Sequence, residues 1–215
     1  MFVERSYTET DRFIVALDQA LRLATGQAPR PSRPNPAGDL PDAALEESER
    51  EHAAGLMRVN RAGEICAQAL YAGQAATART DEVRDEMETA AAEEIDHLAW
   101  CESRLEELNS QPSVLNPLWY AGSFAIGALA GLAGDKWSLG FLKETENQVE
   151  AHLEDHLGLL PASDQRSQAI LEQMKVDEAK HADMAKEAGA ADLPDPIRDL
   201  MRMTSQIMKA VAYRI

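Results

Sequence analysis

A glutamate and a histidine stand three residues apart twice in this sequence, as Glu94 and His97 in EEIDHLAW and as Glu178 and His181 in DEAKHADMA. At about 100° per residue, a step of three on a helix returns to nearly the same face, so each carboxylate projects beside its imidazole. One such pair is a common accident of solvated faces. Alternating spacings of three and four place Met87, Ala91, Glu94, Leu98, Cys101, Leu105 and Leu108 on one core seam. A second seam carries Leu171, Met174, Glu178, His181, Ala185 and Ala188. Two pairs directed into a core imply shared chemistry.

Two further helices supply one acid each. Met57, Asn60, Glu64, Ala67 and Tyr71 line one seam, and Leu139, Leu142, Glu146, Val149, Leu153, His156 and Leu160 line the other. Glu64 lies 30 residues before Glu94 and Glu146 lies 32 before Glu178, so the chain reads as two similar helical hairpins. Desolvating four carboxylates costs several kcal/mol each even after relaxation. A pair of divalent cations offsets that cost. Four Glu and two neutral His balance two Fe(II) ions in formal charge, and this is the ligand set of ferritin-like di-iron bundles. Oxygen and imidazole donors suit iron or manganese, whereas structural zinc favours thiolates.

Neighbouring groups invite plainer readings. Glu93 reads as solvated, while Asp96 and Asp177 read either as solvated or as holding a ligand histidine through its second ring nitrogen. His152, at the edge of the Glu146 seam, is a candidate either for supporting a ligand from behind or for proton handling beside the site. His156 reads as a satisfied core histidine, and His52 carries no signal.

The elements that position these residues are helical. Only 5% of residues are aromatic, while Ala, Glu and Leu are abundant. Helix is expected from about residue 48 almost to the end, interrupted at 109 to 117, 159 to 163 and 188 to 196. The expected fold is all-α, a four-helix bundle with a dinuclear site in its core and short amphipathic helices at both ends. Residues 1 to 47 comprise a helix over 8 to 24 and a surface linker, GQAPRPSRPNPAGDLP, whose five prolines favour extended backbone. Residues 48 to 215 form the di-iron domain. A net charge of −16 argues against a nucleic-acid partner. Two cysteines, Cys66 and Cys101, point to reduced thiols, and the acidic N-terminus reads as no signal peptide.

MRVNRAGEICAQALYAGQ, EEIDHLAWCESRLEEL, NPLWYAGSFAIGALAG, ETENQVEAHLEDHL and DEAKHADMA follow one another in this order. Through them the chain resembles the demethoxyubiquinone hydroxylases of ubiquinone biosynthesis, over most of residues 50 to 215. The first stretch is the most specific, because a general di-iron bundle needs Glu64 but not its NRAGE and ALY surroundings. The resemblance implies Glu64, Glu94, His97, Glu146, Glu178 and His181 as iron ligands, with Glu94 and Glu178 bridging, and a histidine near the site at His152. It implies ring hydroxylation of a demethoxyubiquinol with O2 on two iron ions, the electrons coming from NADH or from the quinol. No Gly-rich dinucleotide fingerprint follows a strand, so a Rossmann site is not expected. Other proteins of ubiquinone biosynthesis and a second copy of the chain stay open as partners.

A ferritin- or rubrerythrin-like protein could use the same ligands to oxidise iron or reduce peroxide. A rubredoxin-like CxxC pair is excluded by the isolated cysteines. A purely structural bundle is disfavoured, since the four seams place no Arg or Lys inward against the acids.

LWYAGSFAIGALAGLAG, residues 118 to 134, carries no charge and leads toward the Glu146 helix. It reads either as an ordinary core helix or as an apolar entrance for a prenylated quinol, with Trp119, Tyr120, Phe124, Ile126 and Leu129 on the bilayer surface without crossing it. In the last helix Ile197, Leu200, Met201, Ile207, Met208 and Val211 make an apolar stripe beside Arg198, Arg202, Lys209 and Arg214. These segments suit peripheral attachment at the cytoplasmic face of the cell membrane.

Overall fold

The computed structural model describes Arg22 and residues 30–215; the helix expected over 8 to 24 lies outside the described residues. Six helices run through them: α1 Glu47–Thr77, α2 Asp81–Glu107, α3 Asn116–Leu132, α4 Asp135–Leu159, α5 Gln165–Glu187 and α6 Asp195–Ala212. No strand occurs among the described residues. The starts follow local chemistry. Glu46 donates its N–H to the Glu49 carboxylate at 3.0 Å where α1 begins, and Asp164 accepts from the Ser167 N–H at 3.0 Å where α5 begins. α3 and α6 open on Pro117 and Pro196, which lack an N–H that the first helical turn could not pair.

Two breaks fall where the sequence reading runs helix straight through. Ala78 to Thr80 contains neither Gly nor Pro, and the turn is held from afar. The Asp135 carboxylate accepts from the Arg79 N–H and the Thr80 hydroxyl, both at 2.9 Å. Gly134, at φ +112°, then separates α3 from α4 in a conformation that glycine adopts without steric cost. The apolar run is therefore a helix of its own.

α1 pairs with α2 and α4 with α5, and these hairpins meet through α2 against α5 and α1 against α4. α3 lies along α1 outside the ring of four, and α6 packs on α1 and α4. One apolar cluster gathers Met57, Trp100, Leu105, Leu153, Leu171 and Met174; another gathers Tyr71, Met87, Leu139, Leu142 and Ala185. Glu64, Glu94, Glu146 and Glu178 each fall in sequence between members of the two. Each large apolar side chain in those layers contributes about 1.5–3 kcal/mol by leaving water, which is what lets the bundle hold a charged layer between them. Ala188, expected in the α5 seam, is exposed at the helix end.

α3 is not a core helix, since it buries only Asn116, Gly127 and Gly131. Trp119 and Tyr120 lean inward against Ile65 and Leu98, whereas Phe124, Ile126 and Leu129 are exposed. The α6 stripe divides similarly. Met208 packs with Tyr213 against Val59 and Ala62, while Leu200 and Ile207 face out. Among the described residues no helix is long and apolar enough to cross a membrane. Arg61 and Arg104, outside the four seams, are also buried; Arg61 pairs with Glu102 at 3.1 Å and Arg104 with Asp164 at 2.8 Å.

The α1–α3 contact leaves no room for a side chain at its crossing. A Cβ on Gly127 would run into the Leu70 carbonyl, and one on Gly73 into the Phe124 carbonyl, both of them backbone that cannot rotate away. Gly122, on the same helix, would meet nothing within 4 Å. In chemical denaturation, Gly127→Ala should lower stability by about 2–3 kcal/mol. Gly122→Ala should raise it by about 0.5–1 kcal/mol. Equal effects at the two positions would show that α3 does not rest on α1 at this distance.

Candidate metal centre

α1 delivers Glu64, α2 delivers Glu94 and His97, α4 delivers Glu146, and α5 delivers Glu178 and His181; none is more than 3% exposed. The two histidines divide the carboxylates between them. His97 Nδ1 lies 2.9 Å from Glu94 Oε2, 3.3 Å from Glu178 Oε1 and 3.7 Å from Glu64 Oε2. His181 Nδ1 lies 3.4 Å from Glu94 Oε1, 3.4 Å from Glu178 Oε2 and 4.0 Å from Glu146 Oε1. Glu94 and Glu178 thus turn one oxygen toward each ring, while Glu64 and Glu146 each serve one side. Two groups of ligand atoms result, Glu64, Glu94, His97 and Glu178, and Glu94, Glu146, Glu178 and His181, each compact enough to hold a cation.

The unpaired atoms fit that use. Glu94 Oε1, Glu146 Oε2, Glu178 Oε2 and His181 Nδ1 are buried with no hydrogen-bond partner. A buried polar atom without a partner costs about 1–3 kcal/mol. All four belong to the group of Glu94, Glu146, Glu178 and His181, a donor set that a cation on the His181 side would satisfy.

The far ring nitrogens are held in a crossed arrangement. His97 Nε2 donates to Asp177 Oδ2 at 3.1 Å, and His181 Nε2 donates to Glu93 Oε2 at 2.6 Å. The acid just before the glutamate of each E-x-x-H therefore holds the histidine of the other helix. The expectation that Glu93 is merely solvated is corrected, because its partly exposed carboxylate still reaches His181 across the α2–α5 contact. Asp96 holds no histidine. It accepts from the Ser32 N–H at 2.6 Å and from Arg33 Nε at 2.7 Å. Sequence reasoning placed Tyr71 in the α1 seam without a role; its hydroxyl donates to Glu146 Oε1. The signal was available, since Tyr71 follows Glu64 by two helical turns.

Electrostatics sets the protons of the cation-free site. Burial, then the charge of Glu94, raises Glu64 well above the usual carboxylate range; burial, then Glu178 and Glu94, does the same to Glu146. For His97 burial acts downward but is outweighed by the Glu94 charge and by hydrogen bonds to Asp177, Glu178 and Glu64, which raise it well above an ordinary histidine. His181 is likewise pushed up to about 12, burial being outweighed by Glu178 and Glu94. Glu94 lies well below the usual range, because His97 and His181 overcome its desolvation.

His152 stands apart from this cluster. Its Nε2 donates to Asn60 Oδ1 at 2.9 Å, one turn before Glu64 on α1. Burial, then His156 and Lys209, pushes its pKa well below that of an ordinary histidine. His156 was expected to be satisfied, yet its Nδ1 has no hydrogen-bond partner; its ring stacks edge-on to His152 at 3.9 Å, and burial and Lys209 lower it to about 4. His52 is structural, bonded to the Tyr213 hydroxyl at 2.7 Å and the Leu159 carbonyl at 3.1 Å.

Comparison with known proteins agrees with this geometry. The family model of ubiquinone biosynthesis protein COQ7 matches residues 51–212. The chain is 60% identical over 210 residues to a 3-demethoxyubiquinol 3-hydroxylase of Xanthomonas campestris pv. campestris (strain 8004), covering 98% of this chain and 96% of that protein. It is 61% identical over 207 residues to the protein of the same name from Cupriavidus pinatubonensis (strain JMP 134 / LMG 1197), covering 95% of this chain and 100% of that one. With six buried ligand-type residues on four helices and a family match spanning all of them, the chain belongs to the ubiquinone biosynthesis protein COQ7 family, and its fold is a ferritin-like helical bundle.

Proposed function

We propose that this chain is a di-iron 3-demethoxyubiquinol hydroxylase, a monooxygenase with Glu64, Glu94, His97, Glu146, Glu178 and His181 as iron ligands. The observation that carries the reading is the sharing of Glu94 and Glu178 between two histidines. The name borne by relatives at about 60% identity supports ring hydroxylation over a ferritin- or rubrerythrin-like role. Two Fe(II) ions bound here would supply electrons for activating O2, replenished by NADH or by the quinol.

The chain's own residues do the rest. Asp177 and Glu93 take the Nε2–H of each histidine and so present Nδ1 as the free donor atom. Tyr71 holds one oxygen of Glu146 in place. His152 stays neutral at pH 7, with Nε2–H given to Asn60, which leaves Nδ1 able to accept a proton from a quinol hydroxyl. The prenyl tail is accommodated at the membrane surface by the outer faces of α3 and α6, where Leu118, Leu129, Leu132, Leu200 and Ile207 are all more than half exposed. Four cations against Asp199 over residues 197 to 215 suit an anionic leaflet at the cytoplasmic face.

Replacement of a shared or a terminal ligand tests the assignment directly. Glu178→Ala or His181→Ala should remove hydroxylation of a demethoxyubiquinol and reduce bound iron while preserving the far-UV circular dichroism. Full activity in either variant would remove the dinuclear reading.

Binding must also displace protons. In the cation-free protein the pKa values of His97, Glu64 and Glu146 are raised and that of His181 is pushed up to about 12, so these groups hold their protons to higher pH than unperturbed ones and His181 is protonated at pH 7. Loading should therefore release protons, and affinity should rise from pH 6 to pH 8. Calorimetric titration in buffers of different ionisation enthalpy measures the release; buffer-independent heats would contradict it.

The membrane reading predicts that Leu129→Ser, Leu200→Ser, Ile207→Ser in one chain weakens binding to anionic vesicles. Turnover of a long-tailed quinol should fall with that of a tail-less one spared. Unchanged vesicle binding, or equal losses on both substrates, would leave these faces without that role.

A further inference from the structure

We propose that Arg33, in the proline-rich segment before the bundle, is a positioning residue of the metal centre that fixes Asp177 and, through it, the His97 ring. The inference rests on the dinuclear reading of the site. Arg33 Nη1 donates to Asp177 Oδ2 at 2.7 Å, and that same oxygen accepts from His97 Nε2 at 3.1 Å. The other edge of the guanidinium is committed as well: Nε donates to Asp96 Oδ2 at 2.7 Å. Asp96 and Asp177 are 1% and 3% exposed while the Arg33 side chain is 35% exposed, so a partly solvated planar fork, which Lys cannot reproduce, closes over two buried carboxylates. Arg33 also lies 4.9 Å above the Trp100 ring, and Trp100 packs against His97 with ring centroids 5.4 Å apart. Arg33 thus reaches His97 by two routes, a carboxylate and an indole.

The segment is built to hold that arginine still. The Ser32 N–H and hydroxyl bind Asp96 at 2.6 and 3.0 Å on one side of Arg33. Beyond it, a turn closes from the Gly38 N–H to the Asn35 carbonyl at 2.9 Å, and Ala37 enters the core at 0% exposure. Arg166 then holds the Leu40 carbonyl at 2.6 Å, and Arg104 holds Asp42 at 3.0 Å. The strap is fastened on both α2 and α5, the two helices that carry the histidines.

The other side of the site lacks this arrangement. His181 is held by Glu93, which is 45% exposed at its side chain and softened by solvent. A guanidinium on Asp177 withdraws electron density from the carboxylate that His97 leans on, and water on Glu93 does so less. The two cation sites are therefore inequivalent, with the His97 side dependent on Arg33. Residues holding a ligand histidine in this way are typically worth about 10–100-fold in metal affinity.

The test uses the full chain and Co(II) alone, titrated against a competing chelator and followed by visible d–d absorption. The wild type should bind two Co(II). Arg33→Ala should weaken one site by about 10-fold or more and shift its absorption, leaving the second unchanged. Arg33→Lys, which keeps the charge but not the fork, should fall between them. Asp192→Ala, which removes a surface ion pair with Lys143 outside the strap, should leave both sites as in the wild type. Both sites unchanged in Arg33→Ala, or both weakened equally there or in Asp192→Ala, would overturn the proposal while leaving the dinuclear reading intact. If Arg33→Ala fails to fold, Arg33→Lys decides alone, and wild-type affinities at both of its sites would overturn the proposal. A wild type that binds fewer than two Co(II) would remove the dinuclear reading and this proposal with it.

Discussion

Four carboxylates closed inside a dry bundle are the constraint to which the rest of this structure answers. Each of Glu64, Glu94, Glu146 and Glu178 is at most 3% exposed, and a carboxylate in such surroundings costs several kcal/mol unless something positive meets it. In the cation-free chain the cluster answers by holding protons more tightly, the pKa values of both histidines and of Glu64 and Glu146 all being raised. The apolar layers on either side are what keep the charged layer from opening to water. Cations bound in this cluster would replace those protons as the positive charge that the carboxylates require.

Having placed the acids, the bundle must fix the rings. The crossed pairing of Asp177 with His97 and Glu93 with His181 does this with the least additional sequence, one acid just before each E-x-x-H. It also couples the two helices, because sliding α2 along α5 would break both bonds at once. Register between the hairpins and orientation of the ligands are thus specified by the same two contacts. A hydrophobic contact alone would define that register less sharply, since neighbouring apolar positions are interchangeable.

Periodicity was enough to expose the four seams, because a charged residue at a core position stands out against its apolar neighbours. The breaks expected at 109 to 117, 159 to 163 and 188 to 196 were legible too, falling where α2, α4 and α5 end and the next helix starts. What sequence could not display was contact made across a long loop. The turn at Ala78 depends on Asp135, 55 residues or more away, and nothing in its own residues announces it. Glu93 looks like a surface acid because it is half solvent-facing; only the approach of α5 reveals its second partner. Asp96 looked equally suited to a histidine, but Arg33, 63 residues upstream, claims it. Proline content leads to an expectation of extended backbone for that upstream segment, whose described part instead bends at Ser32 and Arg33 and turns over residues 36 to 39, and it says nothing of where the segment fastens.

The position of α3 joins the buried site to the protein's apolar exterior. Its inner residues, Trp119 and Tyr120, pack on Ile65 and Leu98, which are the sequence neighbours of Glu64 and His97. Its outer residues, Leu118, Leu129 and Leu132, are more than 60% exposed. Trp119 and Tyr120 therefore lie between the surface and the stretches of α1 and α2 that carry Glu64 and His97. The helix hangs on α1 through the glycine contacts at Gly73 and Gly127, so its spacing from the carboxylates is set by backbone and not by adjustable side chains. A helix crossing this close cannot drift inward and is costly to move outward, so any apolar molecule that reaches the site past α3 must do so by rotating Trp119 or Tyr120 rather than by displacing the helix. The partly buried Trp119, whose Nε1 has no hydrogen-bond partner, gives up no hydrogen bond when it turns.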